Sequence, residues 1–156
     1  MNWTPSIITE SANGSREVTL KTQQLTNGTI FIDDTINAEL ANKVLSQLMY
    51  LEKESIPATI YINSNGGEID AGLLIYDAIQ SVKTDVSIVC TGMAASMAAV
   101  ILAGGRKGKR YIFPHSKVLI HEPRLLGSLG GTATSIKDLS DTIRFYLYFK
   151  RLILLY

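Results

Sequence analysis

Residues 86–104, VSIVCTGMAASMAAVILAG, form the stretch that decides the fold. The run 86–91 is apolar and rich in β-branched residues, which predicts a central strand. The run 92–104 consists of small and apolar residues, which predicts a buried helix directly after that strand. A strand followed at once by a packed helix is a unit from which α/β folds are built.

The same alternation continues on both sides of this stretch. Runs of β-branched and aromatic residues predict strands at 29–32, 58–63 and 117–120. Apolar residues recur at helical spacing over 36–51 and 74–82, which predicts amphipathic helices there. The polar residues available to cap the first of these helices are Asp33, Asp34 and Thr35. Strands that alternate with helices predict a mainly parallel sheet, whose functional residues gather at the carboxyl ends of the strands.

Composition and charge narrow the class of protein. The chain has 156 residues, of which 46% are hydrophobic and 19% charged, which predicts a single folded domain. The net charge of +1 argues against a nucleic-acid partner, so the basic run 106–110 is interpreted as a solvated turn. Residues 1–10 lack the pattern of a signal peptide, and no run is long enough to span a membrane. We therefore expect a cytoplasmic protein without a membrane partner.

Two residues are candidates for nucleophilic chemistry. Ser96 lies near the start of the predicted helix among small neighbours, where free N–H groups favour an oxyanion. The alternative is that Ser96 only caps or packs in that helix. His121 follows a predicted strand and precedes Glu122-Pro123, a position that faces a cleft, although a core histidine is the alternative. Gly66-Gly67 also follows a strand and offers a backbone N–H, or is an ordinary turn.

Three further features are given structural interpretations. Cys90 is the single cysteine, which excludes an internal disulfide, and its place in a predicted strand suggests burial. The pair Asp33-Asp34 has no further carboxylate at ligand spacing, so no metal site is expected there. His115 follows Pro114 and reads as a turn residue.

The last predicted helix is apolar on nearly all sides. Over residues 145–156 the charged residues are Lys150 and Arg151. A helix of this kind must be buried, and a small domain cannot cover all of it, so we expect a subunit interface. A membrane anchor is the rival interpretation, but the run is too short to span a bilayer.

Several motifs, taken together and in order, resemble those of the ClpP peptidases. The likeness runs from about residue 30 to 123 and weakens after that. The motifs are YINSNGG (61–67, similar to YINSPGG), AGLLIYD (71–77, similar to AGLAIYD), GMAASM (92–97), KGKR (107–110) and SKVLIHEP (116–123, similar to SRVMIHQP).

The resemblance implies a serine endopeptidase of unfolded polypeptides that needs no cofactor and no metal. Ser96 matches the family's nucleophile and His121 the general base. The N–H groups of Gly67 and Met97 match the oxyanion hole. The crotonase fold also suggests an acyl-CoA enzyme, and a Ser–Lys dyad like that of signal-peptide peptidases is a further alternative.

The resemblance also implies a fold and an assembly. The fold is a ClpP/crotonase-like β/α superhelix with a mainly parallel sheet and a long C-terminal handle helix. We expect an axial-loop-like segment at 1–28, a head at 29–131 and a truncated handle helix at 132–156. Two seven-membered rings, homomeric or mixed, would stack through the handles, and an AAA+ unfoldase of the ClpX, ClpA or ClpC type would feed the chamber.

Two substitutions and one position depart from the family pattern. Asn65 replaces a Pro, and Glu122 replaces a Gln. The family's third triad residue is an Asp after the last helix, a position beyond Tyr156. Asp138 and Asp141 lie within that helix and do not match it. An alternative function is therefore a catalytically impaired ring subunit that assembles with an active paralogue.

Overall fold

The computed structural model describes residues 5–11 and 14–121. Glu122, the rest of the predicted head to residue 131 and the predicted handle helix at 132–156 lie outside the described residues. The elements described are β1 (Ser6–Ser11), β2 (Gly14–Thr19), α1 (Leu20–Thr26), β3 (Thr29–Ile32), α2 (Ala38–Lys53), β4 (Ala58–Ser64), α3 (Ile69–Ser81), β5 (Val86–Ala95), α4 (Met97–Ala103), β6 (Arg110–Ile112) and β7 (Lys117–Leu119).

The main sheet is parallel, as the alternation of strands and helices predicted. Its order is β3-β4-β5-β6, and β7 pairs with β5 as well. Each of these pairs is parallel. Strand β6 pairs with the first half of β5 and β7 with its last residues, so β5 is the central strand of the sheet. Parallel pairing brings the carboxyl ends of β4, β5 and β7 to the same edge.

The core lies between the sheet and helices α2, α3 and α4. Alternate residues of β3 and β4 are buried, which fits strands with one face on the helices. Residues of the opposite face are partly exposed, and there Phe31 and Tyr61 stack with ring centroids 5.7 Å apart. Burial of an isoleucine such as Ile60, which is fully buried, contributes about 1.5–3 kcal/mol.

The predicted start of the first core helix is wrong. Helix α2 begins at Ala38, and its cap is Asn37, whose side-chain oxygen accepts the N–H of Leu40 at 2.9 Å. Asp33, Asp34 and Thr35 precede the cap. Ile36 is apolar at helical spacing but forms a parallel bridge with Gly67 instead. Its side chain is fully buried, which explains why it joined the apolar pattern.

The predicted helix at 92–104 also begins too early. Residues 92–95 extend β5 as strand, and the helix starts at Met97. The sequence is compatible with either structure because small residues fit both. Pairing with a neighbouring strand favours the extended structure, since Met93, Ala94 and Ala95 pair with β7.

The N-terminal segment contains structure that the sequence analysis did not predict. Strands β1 and β2 form an antiparallel two-stranded sheet, with Ser11 opposite Gly14. Helix α1 follows, capped by the side chain of Thr19. No helix among the described residues has both the length and the apolar character that crossing a membrane requires.

Candidate active site

The last part of β5 is set by a bulge. Between the pairs Ile62–Cys90 and Ser64–Ala94, strand β4 advances from 62 to 64 while β5 advances from 90 to 94. The side-chain oxygen of Asn63 fills the irregularity by accepting the N–H of Met93 at 3.0 Å. A Cβ on residue 92 would lie 2.4 Å from that oxygen, so a larger residue than Gly92 would push the Asn63 side chain out of this bond. Bulges of this kind often redirect a strand beside an active site.

Ser96 occupies the sharp junction between β5 and α4. Its φ of 54° and ψ of −123° are unusual for a residue with a side chain. Its N–H donates to the carbonyl of Leu119 at 2.9 Å, and its own carbonyl accepts the N–H of Ala99 at 3.0 Å. The hydroxyl makes no capping hydrogen bond. Ser96 therefore stands at the cap position without using its side chain there.

The glycine pair after β4 packs directly against this junction. A Cβ on Gly66 would lie 2.6 Å from the carbonyl oxygen of Ala95, 2.7 Å from the Cβ of Ser96 and 3.0 Å from the nitrogen of Met97. Gly66 also has a φ of 93°, which a residue with a side chain rarely adopts. Only glycine allows this approach, so the turn brings its backbone against the serine.

Gly67 is held on its other side by Ile36. The N–H of Ile36 donates to the carbonyl of Gly66 at 2.9 Å, and the N–H of Glu68 donates to the carbonyl of Ile36 at 2.8 Å. Within the described chain, the N–H groups of Gly67 and Met97 donate no hydrogen bond. Met97 is the first residue of α4, where N–H groups lack a helical partner. Among the described residues, neither amide is therefore taken up by an internal hydrogen bond.

His121 follows the strand beside the serine. Leu119, the last residue of β7, pairs with Ala95, the last residue of β5. Ser96 and His121 are therefore carried past the carboxyl ends of two adjacent parallel strands. His121 is exposed and is the last described residue. Asp138 and Asp141 fall outside the described residues.

Three features that the sequence analysis interpreted as structural, namely Cys90, His115 and the basic run 106–110, lie away from this edge or are buried. Cys90 is fully buried. His115 lies in the turn between β6 and β7. The basic run begins in the turn between α4 and β6, where Lys109 forms a 2.7 Å ion pair with Asp85. The hydrogen bond from Lys109 lowers the pKa of Asp85, and Asp85 in turn raises the pKa of Lys109.

A polar cavity of about 280 Å³ opens beside the glycine pair. Its lining residues are Asp33, Asp34, Thr35, Asn63, Ser64, Asn65 and Met93. Sequence reasoning used Asn63 and Ser64 only as letters of a motif and did not assign them a role. Their polar character at the end of a buried strand was the signal that could have found them.

Comparisons with known proteins identify the family of the chain. Residues 12–152 match the Clp protease family. The chain is 44% identical over 138 residues to the ATP-dependent Clp protease proteolytic subunit of Carsonella ruddii (strain PV), an alignment that covers 88% of this chain and 70% of the relative. A family match over most of the chain, with a relative this similar, shows that the chain belongs to the Clp protease family.

Proposed function

We propose that this chain hydrolyses peptide bonds of unfolded polypeptides, with Ser96 as nucleophile and His121 as general base. The observation that carries the proposal is the conformation of Ser96. Its backbone is held at a φ of 54° between a strand and a helix, and its hydroxyl is not used as a cap. Backbone strain of this kind costs about 1–3 kcal/mol and persists at functional sites.

The reaction follows from the groups around Ser96. The hydroxyl oxygen attacks the carbonyl carbon of the peptide, and its proton passes to the imidazole of His121. The carbonyl oxygen becomes an oxyanion, which the N–H groups of Gly67 and Met97 stabilise. The carbon–nitrogen bond then breaks, and the imidazolium returns the proton to the leaving amine. Water hydrolyses the acyl-enzyme with His121 again as base, which regenerates Ser96.

We also propose that the chain works as part of a ring assembly. The relative's name describes the proteolytic subunit of an ATP-dependent protease. We infer heptameric rings and an AAA+ unfoldase as the source of unfolded substrate. The exposed apolar residues along β6 and β7 support burial against another subunit. These residues are Tyr111, Ile112, Phe113, Val118, Leu119 and Ile120. A cytoplasmic location and the domain boundaries at 28 and 131 remain predictions from the sequence.

The test is covalent labelling of the whole chain with a serine-reactive phosphonate, read by intact mass. We expect one adduct in the wild type and none in Ser96→Ala. The variant Ser81→Ala is the matched control, because Ser81 bonds a carbonyl at the far end of α3 and should leave the adduct unchanged.

The variant His121→Ala separates the remaining mechanisms. Loss of labelling and of peptide hydrolysis is expected if His121 is the base. A Ser–Lys dyad predicts that both survive. No adduct in the wild type, under conditions that label an ordinary serine peptidase, would contradict the proposed function and favour a subunit that depends on an active paralogue.

A further inference from the structure

Ser64 is the one polar residue that is buried in the described part of the chain, at 4% exposure. A buried hydroxyl is costly unless its hydrogen bonds are made. The Ser64 hydroxyl donates to the carbonyl of Asp34 at 2.6 Å and accepts the N–H of Gly66 at 3.1 Å. Both of its bonds therefore go to backbone, and one goes to the glycine that packs against Ser96.

The hydroxyl joins two segments that meet beside the serine. Residues 34–36 form the first segment, and the N–H of Thr35 is fixed by the Asp34 carboxylate at 2.6 Å. The glycine pair forms the second. Ile36 bonds the second segment on either side of Gly67. Ser64 contributes a side-chain link between the segments, at the point where β4 ends.

This bond decides which amide of the turn can meet a substrate. Since the N–H of Gly66 is directed to Ser64, it is not available to an oxyanion. The amide left in the glycine pair is that of Gly67, which donates to none of the described residues. Loss of the Ser64 hydroxyl would free the Asn65–Gly66 peptide to rotate. The next peptide, which carries the N–H of Gly67, would then be held by the bond from Ile36 to the Gly66 carbonyl without this second support, so its direction would be less closely fixed.

We propose that Ser64 is a positioning residue for the oxyanion hole, acting through Gly66 on the N–H of Gly67. This inference rests on the proposed peptidase function. Removal of an oxyanion donor costs about 100- to 1,000-fold in kcat, and misdirection of a donor costs less. Ser64→Ala should therefore lower kcat by about 10- to 100-fold and leave KM within about twofold, because the N–H acts mainly in the transition state.

The experiment compares two inhibitors on the full chain in its native assembly. One is a peptide aldehyde, whose adduct with Ser96 places an oxygen in the hole. The other is the corresponding peptide alcohol, which binds without forming that adduct. We expect Ser64→Ala to lower the affinity for the aldehyde by the same factor by which it lowers kcat/KM. The affinity for the alcohol should not change. Ser64→Thr, which keeps the hydroxyl, should restore the aldehyde affinity.

A purely structural role for Ser64 gives a different result. The aldehyde and the alcohol would then lose affinity equally, which would overturn the proposal, as would an unchanged aldehyde affinity. Ser81→Ala is again the control, because it removes a hydroxyl that bonds only a carbonyl of its own helix. Both inhibitors should bind this variant as they bind the wild type.

Hydrogen exchange tests the positioning without catalysis. The amide of Gly66 should lose at least about tenfold of its protection in Ser64→Ala, while the amide of Ile62 in β4 keeps its protection. Unchanged protection of Gly66 would overturn the proposal even if the enzyme were active. A wild-type chain that fails to label at Ser96 would instead refute the peptidase function, and the exchange result would still decide whether Ser64 fixes the turn.

Discussion

Gly66→Ala is the substitution that most directly probes the contact between the glycine turn and the nucleophile. The new methyl would lie 2.6 Å from the carbonyl oxygen of Ala95 and 2.7 Å from the Cβ of Ser96. Two carbon atoms in ordinary contact are about 3.5–4.0 Å apart. The neighbours are backbone or Cβ atoms that cannot rotate away, so the turn and the serine must separate by about 1 Å.

This displacement should lower both the reactivity of Ser96 and the stability of the fold. A misplacement of about 1 Å between reacting groups can lower a rate by about 100-fold. Overpacking of a well-packed site costs about 1–3 kcal/mol, and the φ of 93° at residue 66 adds about 1–2 kcal/mol for a residue with a side chain. We expect the rate of phosphonate labelling at Ser96 to fall by about 10- to 100-fold in a chain that still folds.

The matched control is Gly108→Ala. Gly108 has a φ of 79°, but a Cβ there would meet nothing within 4 Å. An alanine at position 108 would therefore have the same kind of backbone strain but no steric clash. Labelling rates are read by intact mass, and free energies of unfolding by urea denaturation. Gly108→Ala should lose about 1 kcal/mol and label normally. If Gly66→Ala also labels at the wild-type rate, the turn does not pack on Ser96 as described.

Two further predictions concern stability. Asn37→Ala should lower the free energy of unfolding by about 1 kcal/mol in urea, because it removes the cap of α2; Asn42→Ala, on the exposed side of that helix, should cost less. Asp85→Asn should lower Tm slightly at neutral pH, since the ion pair is exposed. Its effect should vanish as pH falls below 3.8 through the lowered pKa of Asp85, and as pH rises above 10.5 through the raised pKa of Lys109. An effect of Asp85→Asn that persisted in acid would contradict the pairing.

Strands β3 and β4, which the sequence predicted well, are each buried on one face. Strand β3 has the predicted bounds, 29–32, and β4 is longer by one residue. Their isoleucines occupy alternate positions, and those positions are on the buried face of the sheet. Local pattern was sufficient there because the helices cover a continuous face of both strands.

The errors fall where a distant residue decides the backbone. Residues 92–95 are strand because β7 pairs with them and because Asn63, about 30 positions earlier, bonds the bulge. Ile36, which the apolar spacing placed in the helix, lies outside it because it pairs with Gly67. Neither contact leaves a local signal. The motif resemblance predicted Ser96, His121 and the two amides, but the composition alone left each of them with a structural alternative.

The proposed oxyanion donors are backbone amides, which any residue type can supply. The residue types that matter are therefore those of the neighbours that fix the backbone around these amides. Gly72 illustrates this. A glycine inside α3 costs about 0.5–1 kcal/mol relative to alanine. A Cβ there would lie 2.5 Å from the Cε of Met97, so the glycine lets the first turn of α4 pack on α3. Helix α3 thus packs on Met97, the residue that carries one proposed donor. Ser64 and Ile36 bond the turn that carries the other, so the two proposed donors rest on separate parts of the core.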